Sequence, residues 1–188
     1  MEYVEPIKNI ADIKAMKRLL GQHSQRDLLF FVFGINTGMR VSDLLSLKVG
    51  DLCVGKDIKE FVYVNNGTHS TDSTAFYINH SVKTELKRYI SLVDLKEDDY
   101  LFKSKKNDNP ITRQQAYRII NQAAKQVGIP GNIGTHTLRK TFGYHAYRKG
   151  IAISILSKIY HHQSSAETLH YIGIDKNENY LIKVDVNL

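Results

Sequence analysis

Residues 134–150 read GTHTLRKTFGYHAYRKG, and the folding of this stretch decides the architecture around it. Thr135 opens a helix and Gly150 ends it. Within it His136 and Arg139 stand three positions apart, so they share one face, one turn along. Leu138, Phe142 and the tyrosines of the stretch can cover the opposite side. A helix that carries an imidazole and a guanidinium on one side and apolar groups on the other belongs against a core, facing a polar site.

The neighbouring segments supply that core. Upstream, Thr112-x-x-Gln115 is a capping signature for an amphipathic helix reaching Val127, stopped by Gly128 and Pro130. Residues 60–79 change period: Phe61 to Val64 and Thr74 to Ile78 are β-branched and aromatic, split by a polar stretch with Gly67. That predicts a β-hairpin with a long tip, followed by a helix from about Ser81 to Ser91. Near the N-terminus a helix runs from Asn9 to about Leu20, with Asp12 placed as its cap. Ser24-x-x-Asp27 opens a second helix with Leu28, Phe31, Val32 and Ile35 at helical spacing. Gly38 ends it, and Arg40 sits at the turn into a short helix, Val41 to Leu47. Downstream, two short helices, about Ile153 to Tyr160 and Ser164 to Leu169, hold His162 between them and Tyr171 just beyond. The final residues, 173–188, are polar and then alternating, an extended tail. The fold class is mainly α with a small antiparallel β-hairpin (α+β).

The chain of 188 residues is long enough for one domain with a real core. Its net charge of +7 favours a polyanionic partner, although charge alone does not separate DNA from RNA or an acidic membrane surface. Cys53 is the only cysteine, so an intrachain disulfide and a thiolate metal cluster are both out of reach. It reads as apolar filler beside Leu52 and Val54. The first residues have neither a basic start nor an apolar run of the secretory kind. The longest apolar run, Leu28 to Phe33, is far shorter than a membrane span. A cytoplasmic protein without membrane contact is the expectation.

The chemistry lies in three short stretches: Thr37-Gly38-Met39-Arg40 with Asp43, then His136-Thr137-Leu138-Arg139, then His162 and Tyr171. A guanidinium offers a rigid fork of donors that matches phosphate oxygens. Two forks on one phosphate can neutralise the charge of a five-coordinate transition state. A phenol, with a reference pKa of about 10, becomes a nucleophile only in a cationic, hydrogen-bonding site. His161 and His162 are poor candidates for a metal site, having no acidic or sulfur ligand at zinc spacing and His145 on another element. Asp43, Asp51, Asp57 and Asp72 are scattered and form no paired set for a metal-dependent nuclease. No metal and no cofactor is expected.

The order Arg40, His136-x-x-Arg139, then His162 and Tyr171 nine positions apart resembles the catalytic domain of tyrosine recombinases, the phage integrase family. The surrounding blocks agree: GINTGMRVSDLLSLKVGDL (34–52), PITRQQAYRIINQAAKQVGI (110–129), GTHTLRKTFGYHAYRKG (134–150) and HHQSSAETLHYIGI (161–174). The likeness runs roughly from Asp12 to Ile174.

The resemblance implies that Tyr171 attacks the scissile phosphate, forming a 3′-phosphotyrosyl link and releasing a 5′-hydroxyl. A different 5′-hydroxyl then rejoins the strand without ATP. Arg40 and Arg139 would hold the non-bridging oxygens, and His136 would bond the same phosphate or help move the nucleophile's proton. His162 would donate to a phosphate oxygen, and Asp43 would orient an arginine or a histidine. The family carries on its hairpin a lysine that protonates the departing oxygen. The tip here, residues 65–73, has none, and His69 occupies the expected position, as a general acid or as a passive replacement.

By the same resemblance, residues 1–172 form the catalytic domain, with the family's preceding core-DNA-binding domain absent. Residues 173–188 are a tail that can reach a neighbouring protomer through Val184 and Val186. The expected partner is double-stranded DNA, on which the protein forms a homo-oligomeric, tetrameric synapse, with a monomer possible when free. Lys103, Lys105, Lys106, Arg113 and Arg118 read as surface, some of them touching backbone phosphates. Two alternatives stay open: a catalytically decayed member that binds DNA or partner recombinases, and a type IB topoisomerase sharing the phosphotyrosine chemistry.

Overall fold

The computed structural model describes residues 4–55, 57–65 and 73–174. His69, Val184 and Val186 lie outside those residues, as do residues 66–72 of the hairpin tip and all of the tail beyond Ile174. The described chain is mainly helical, with two short antiparallel sheets.

The centre is α2 (Gln25–Thr37), whose residues Leu28 to Phe33 are all buried. A helix apolar all round must be enclosed, and here α1 (Ile10–His23), α5 (His80–Leu92) and α7 (Thr135–Arg148) enclose it. Phe102 completes the enclosure, its ring edge-on to Phe30 at 5.3 Å and to Phe33 at 6.4 Å. Ser24 caps α2 by accepting from the Asp27 amide, and Gly38 ends it in the left-handed region at φ 69°. Gly34 lets α7 come close, since a Cβ there would stand 2.7 Å from Leu138 Cδ1. That approach sets Arg139 beside the end of α2.

The remaining elements follow the expected order with several differences. The cap of α1 is Asn9, accepting from the Ala11 amide at 2.9 Å, and not Asp12, which lies within the first turn. Asn9 keeps extended backbone while Asp12 is already helical, so only Asn9 can turn its side chain onto the free amides. The helix also runs on to His23, three residues past Leu20. After α3 (Val41–Ser46) comes an unforeseen single turn, α4 (Val49–Leu52). The β1 (Cys53–Val54) and β2 (Asp57–Ile58) strands pair antiparallel; two-residue strands leave no period to read. The expected hairpin is β3 (Phe61–Asn65) with β4 (Ser73–Tyr77), Phe61 opposite Tyr77 and Asn65 opposite Ser73. Thr112 and Gln115 form the capping box of α6 (Arg113–Val127).

The helix α7 is buried over more of its surface than two faces allow: Thr137, Leu138, Arg139, Lys140 and Thr141 are all buried. A second, smaller core joins it to α8 (Ile153–Tyr160) and α9 (Ser165–Tyr171) through Leu156, Tyr160, Ile172 and Ile174, with Phe142, Tyr144 and Tyr147 against them. Tyr171 is therefore the last residue of α9, not a residue beyond a helix ending at Leu169.

Candidate active site

Five helices and the turn between α8 and α9 bring their side chains to one cleft of about 480 Å³. Its walls include Arg40, Arg113, His136, Arg139, His162 and Tyr171. Arg40 comes from the junction of α2 and α3. Its backbone is extended at φ −67° and ψ 146°, between the left-handed Gly38 and the first turn of α3. That break points its exposed side chain outward from a rigid base. His136 stands exposed in the first turn of α7.

Arg139 is different, being only 7% exposed. Its Nη1 donates to the Gly38 carbonyl and its Nη2 to the Ile159 carbonyl at 2.9 Å. The guanidinium also stacks on Tyr160, with Cζ 4.5 Å from the ring centre, and the Tyr160 hydroxyl donates to the Arg139 carbonyl at 2.9 Å. These contacts set the plane of the fork and leave other donors for the cleft. Burial lowers the Arg139 pKa from its ordinary value, while Tyr171, Tyr160 and Asp43 favour the charge.

A turn carries the chain from α8 to His162. His161 takes a left-handed conformation at φ 59° and ψ 39°, unusual for a residue with a side chain. His161→Gly is accordingly expected to raise stability by about 1 kcal/mol, as a higher denaturant midpoint at unchanged slope. His162 Nδ1 lies 3.0 Å from Thr168 Oγ1, and that hydroxyl lies 2.7 Å from Ser157 Oγ. Thr168 is fully buried, so it holds the imidazole at a fixed angle and leaves Nε2 free of this contact.

Tyr171, half-buried at the end of α9, has His162 at 5.0 Å and Tyr160 at 5.2 Å between ring centres. Burial raises its phenol pKa from the ordinary value; charge and a hydrogen-bonding interaction from Arg139, then Arg40, pull it down. His136, although the residue as a whole is exposed, has its pKa lowered first by the partial burial of its ring and then by Lys140, Arg139 and Arg113. The His162 pKa is likewise lowered, mainly by burial.

Not every expected residue takes a place on the walls. Asp43 is absent from the cleft lining, and its carboxylate accepts from the Ser42 hydroxyl at 3.2 Å. Its influence reaches Arg139 through charge. Tyr160 and Thr168, which orient Arg139 and His162, were not foreseen, and no local pattern marks them. Arg113, one of the basic residues read as surface with some touching backbone phosphates, lies in the cleft wall as the first residue of α6. Among the described residues no group of three His, Cys, Asp or Glu side chains is placed to hold a metal ion. Among them, too, no helix is long and apolar enough to cross a membrane.

The cleft thus gathers two guanidiniums, two imidazoles and a phenol within a mainly helical domain. The chain belongs to the phage integrase family, whose model matches residues 7–178. It is 40% identical over 177 residues to "Probable integrase/recombinase YoeC" of Bacillus subtilis, covering 94% of this chain and 93% of that protein. To tyrosine recombinase XerA of Pyrococcus furiosus it is 29% identical over 167 residues, 87% of this chain and 55% of that one. Measured against that relative, the chain spans about half the length. In fold it is similar to the crystal structure of XerA recombinase, with a TM-score of 0.75 at 22% identity over 93% of this chain and 61% of that one. A lambda integrase dimer bound to a core site gives a TM-score of 0.67 at 17% identity, over 99% of this chain and 52% of that one.

Proposed function

We propose that this chain is the catalytic unit of a site-specific DNA recombinase or integrase, cutting and rejoining DNA through a 3′-phosphotyrosine intermediate. The observation that carries this is the lodging of Tyr171 against Arg139 in a cleft that Arg40 and both histidines also line. Arg139, fixed by the Gly38 and Ile159 carbonyls, is a preorganised donor, and Arg40 reaches the same space from outside. Between them they would clasp the non-bridging oxygens of one phosphate. The Tyr171 oxygen attacks phosphorus, the bond to the 5′-oxygen breaks, and reversal by another 5′-hydroxyl restores a phosphodiester. His69, the family's expected hairpin acid by position, would return the proton to the departing oxygen.

The test is a covalent protein–DNA adduct on a nicked attachment-site duplex in the presence of EDTA. An adduct that requires magnesium would refute the mechanism. DNA binding without adduct would favour the decayed, binding-only relative.

The pKa shifts predict a pH profile. Tyr171 keeps its proton at neutral pH, because burial holds the phenol above its ordinary value. The histidines, held below theirs, are neutral there and able to accept that proton. As pH falls through a lowered imidazole pKa the base becomes protonated and activity is lost. The acid limb of single-turnover adduct formation should therefore lie below about pH 6.5, and disappear in His136→Asn if His136 is the base. A limb above that value would contradict the assignment.

Assembly on DNA is proposed to use an apolar groove of about 470 Å³ toward the C-terminal end of α7, between Phe61, Tyr77, Phe142 and Ile155. Tyr77 is 52% and Ile155 51% exposed. The occupant would be residues 175–188 of a second copy, whose Ile182, Val184 and Val186 alternate as an added strand would require. Truncation after Ile174 should abolish higher-order complexes on DNA while the adduct survives on a nicked site; complexes that persist would exclude the tail.

A further inference from the structure

Lys140 follows Arg139 on α7 and is only 5% exposed. A buried ammonium needs compensation by oriented dipoles or by partners. Its Nζ donates to the Val4 carbonyl at 2.9 Å and stands 5.1 Å from the centre of the Tyr171 ring. It does not line the cleft, so it meets the tyrosine from behind while Arg139 meets the phenol from the side.

The carbonyl that holds it is itself fastened. The Glu5 amide donates to the Asn132 carbonyl at 3.0 Å, and the Ile7 amide donates to Thr141 Oγ1 at 2.9 Å. The His145 ring lies 2.9 Å from the Ile7 carbonyl. Pro6 lies against Gly173, where an added Cβ would be 3.1 Å from Pro6 Cγ. Residues 4–8 thus form a strap over α7 and over the end of α9, the two helices that carry Arg139 and Tyr171.

We propose that Lys140 is a positioning residue for Tyr171: held by the Val4 carbonyl, its ammonium braces the ring face and favours the ring as the phenol loses its proton. The inference rests on Tyr171 as the nucleophile. A cation over an aromatic face is attracted by the ring quadrupole. A phenolate spreads negative charge into the ring, so the attraction grows as the proton leaves. Lys140 itself exchanges no proton. The groups facing Tyr171 are Arg139 and Arg40 at the phenol, His162 and Tyr160 at the ring, and Lys140 behind; Glu5 and His136 face Lys140.

The experiment uses the full chain with a fluorinated tyrosine at position 171, whose phenol titrates within the range where proteins stay folded. It compares wild type, Lys140→Gln, Lys140→Met and Lys140→Arg. Glutamine keeps a donor for the Val4 carbonyl but removes the charge, and it serves if the methionine variant fails to fold. Fluorine NMR follows the phenol titration without DNA. Single-turnover adduct formation is measured on nicked substrates with oxygen or sulfur at the leaving position. The neutral variants should titrate about one pH unit higher and form adduct roughly tenfold more slowly on both substrates, with Lys140→Arg restoring most of each. A phenol titration that ignores the charge at 140 would overturn the inference. So would a slowing that vanishes with sulfur, which would make Lys140 an acid for the leaving group. Absence of adduct with wild type would instead strike the nucleophile role of Tyr171, and the titration would still decide whether Lys140 braces the ring.

Discussion

Tyr171→Phe is expected to fold, to bind DNA and to leave no detectable covalent adduct. The substitution removes one oxygen and retains a ring that can keep its packing on Tyr160 and His162 and beneath Lys140. Its thermal midpoint should stay close to that of the unaltered protein. The hydroxyl is nevertheless the only atom proposed to bond to phosphorus, so no other residue can replace it. Denaturing electrophoresis of labelled nicked DNA after incubation with protein reads the result directly. An adduct surviving the substitution would place the nucleophile elsewhere, with the other tyrosines as candidates.

Arg139→Ala and Arg40→Ala should both lower strand cleavage about 10²–10³-fold or more, the usual cost of removing a donor from a developing oxyanion, but they should differ sharply in stability. Arg139 is buried and ties the Gly38 carbonyl to the Ile159 carbonyl. Removing it leaves both acceptors unpaired and a gap beside Tyr160, a loss of about 3 kcal/mol. Arg40 is exposed at the start of α3, and its loss should leave the denaturation curve within about 0.5 kcal/mol. Chemical denaturation alongside the adduct assay separates the two effects. Equal stability losses would mean that the buried contacts of Arg139 do not hold the fold.

What the sequence disclosed follows the range of the interactions. Ser24 with Asp27, Gly38, and Thr112 with Gln115 act across a few residues, so α2 and α6 were legible with their ends. The hairpin announced itself through two runs of β-branched and aromatic residues split by a polar stretch. Arg40, His136, Arg139, His162 and Tyr171 could be singled out by type and order, and the cleft does gather them. Their supports could not be read in advance. Arg139 meets Gly38 across 101 positions, and Lys140 meets Val4 across 136. Tyr160 and Thr168 look like any core tyrosine and threonine until the turn at His161 brings them under the site. The choice between Asn9 and Asp12 as cap of α1 depended on backbone angles that composition does not encode.

Under the proposed function Arg139 answers to two kinds of selection, since the guanidinium assigned to the phosphate also splices the end of α2 to the end of α8. A descendant relieved of its enzymatic duty would keep that arginine simply to stay folded, whereas nothing structural would protect Arg40 from drifting. In screening related genomes for living enzymes, the exposed arginine is therefore the informative marker, and the buried one certifies little beyond a sound scaffold.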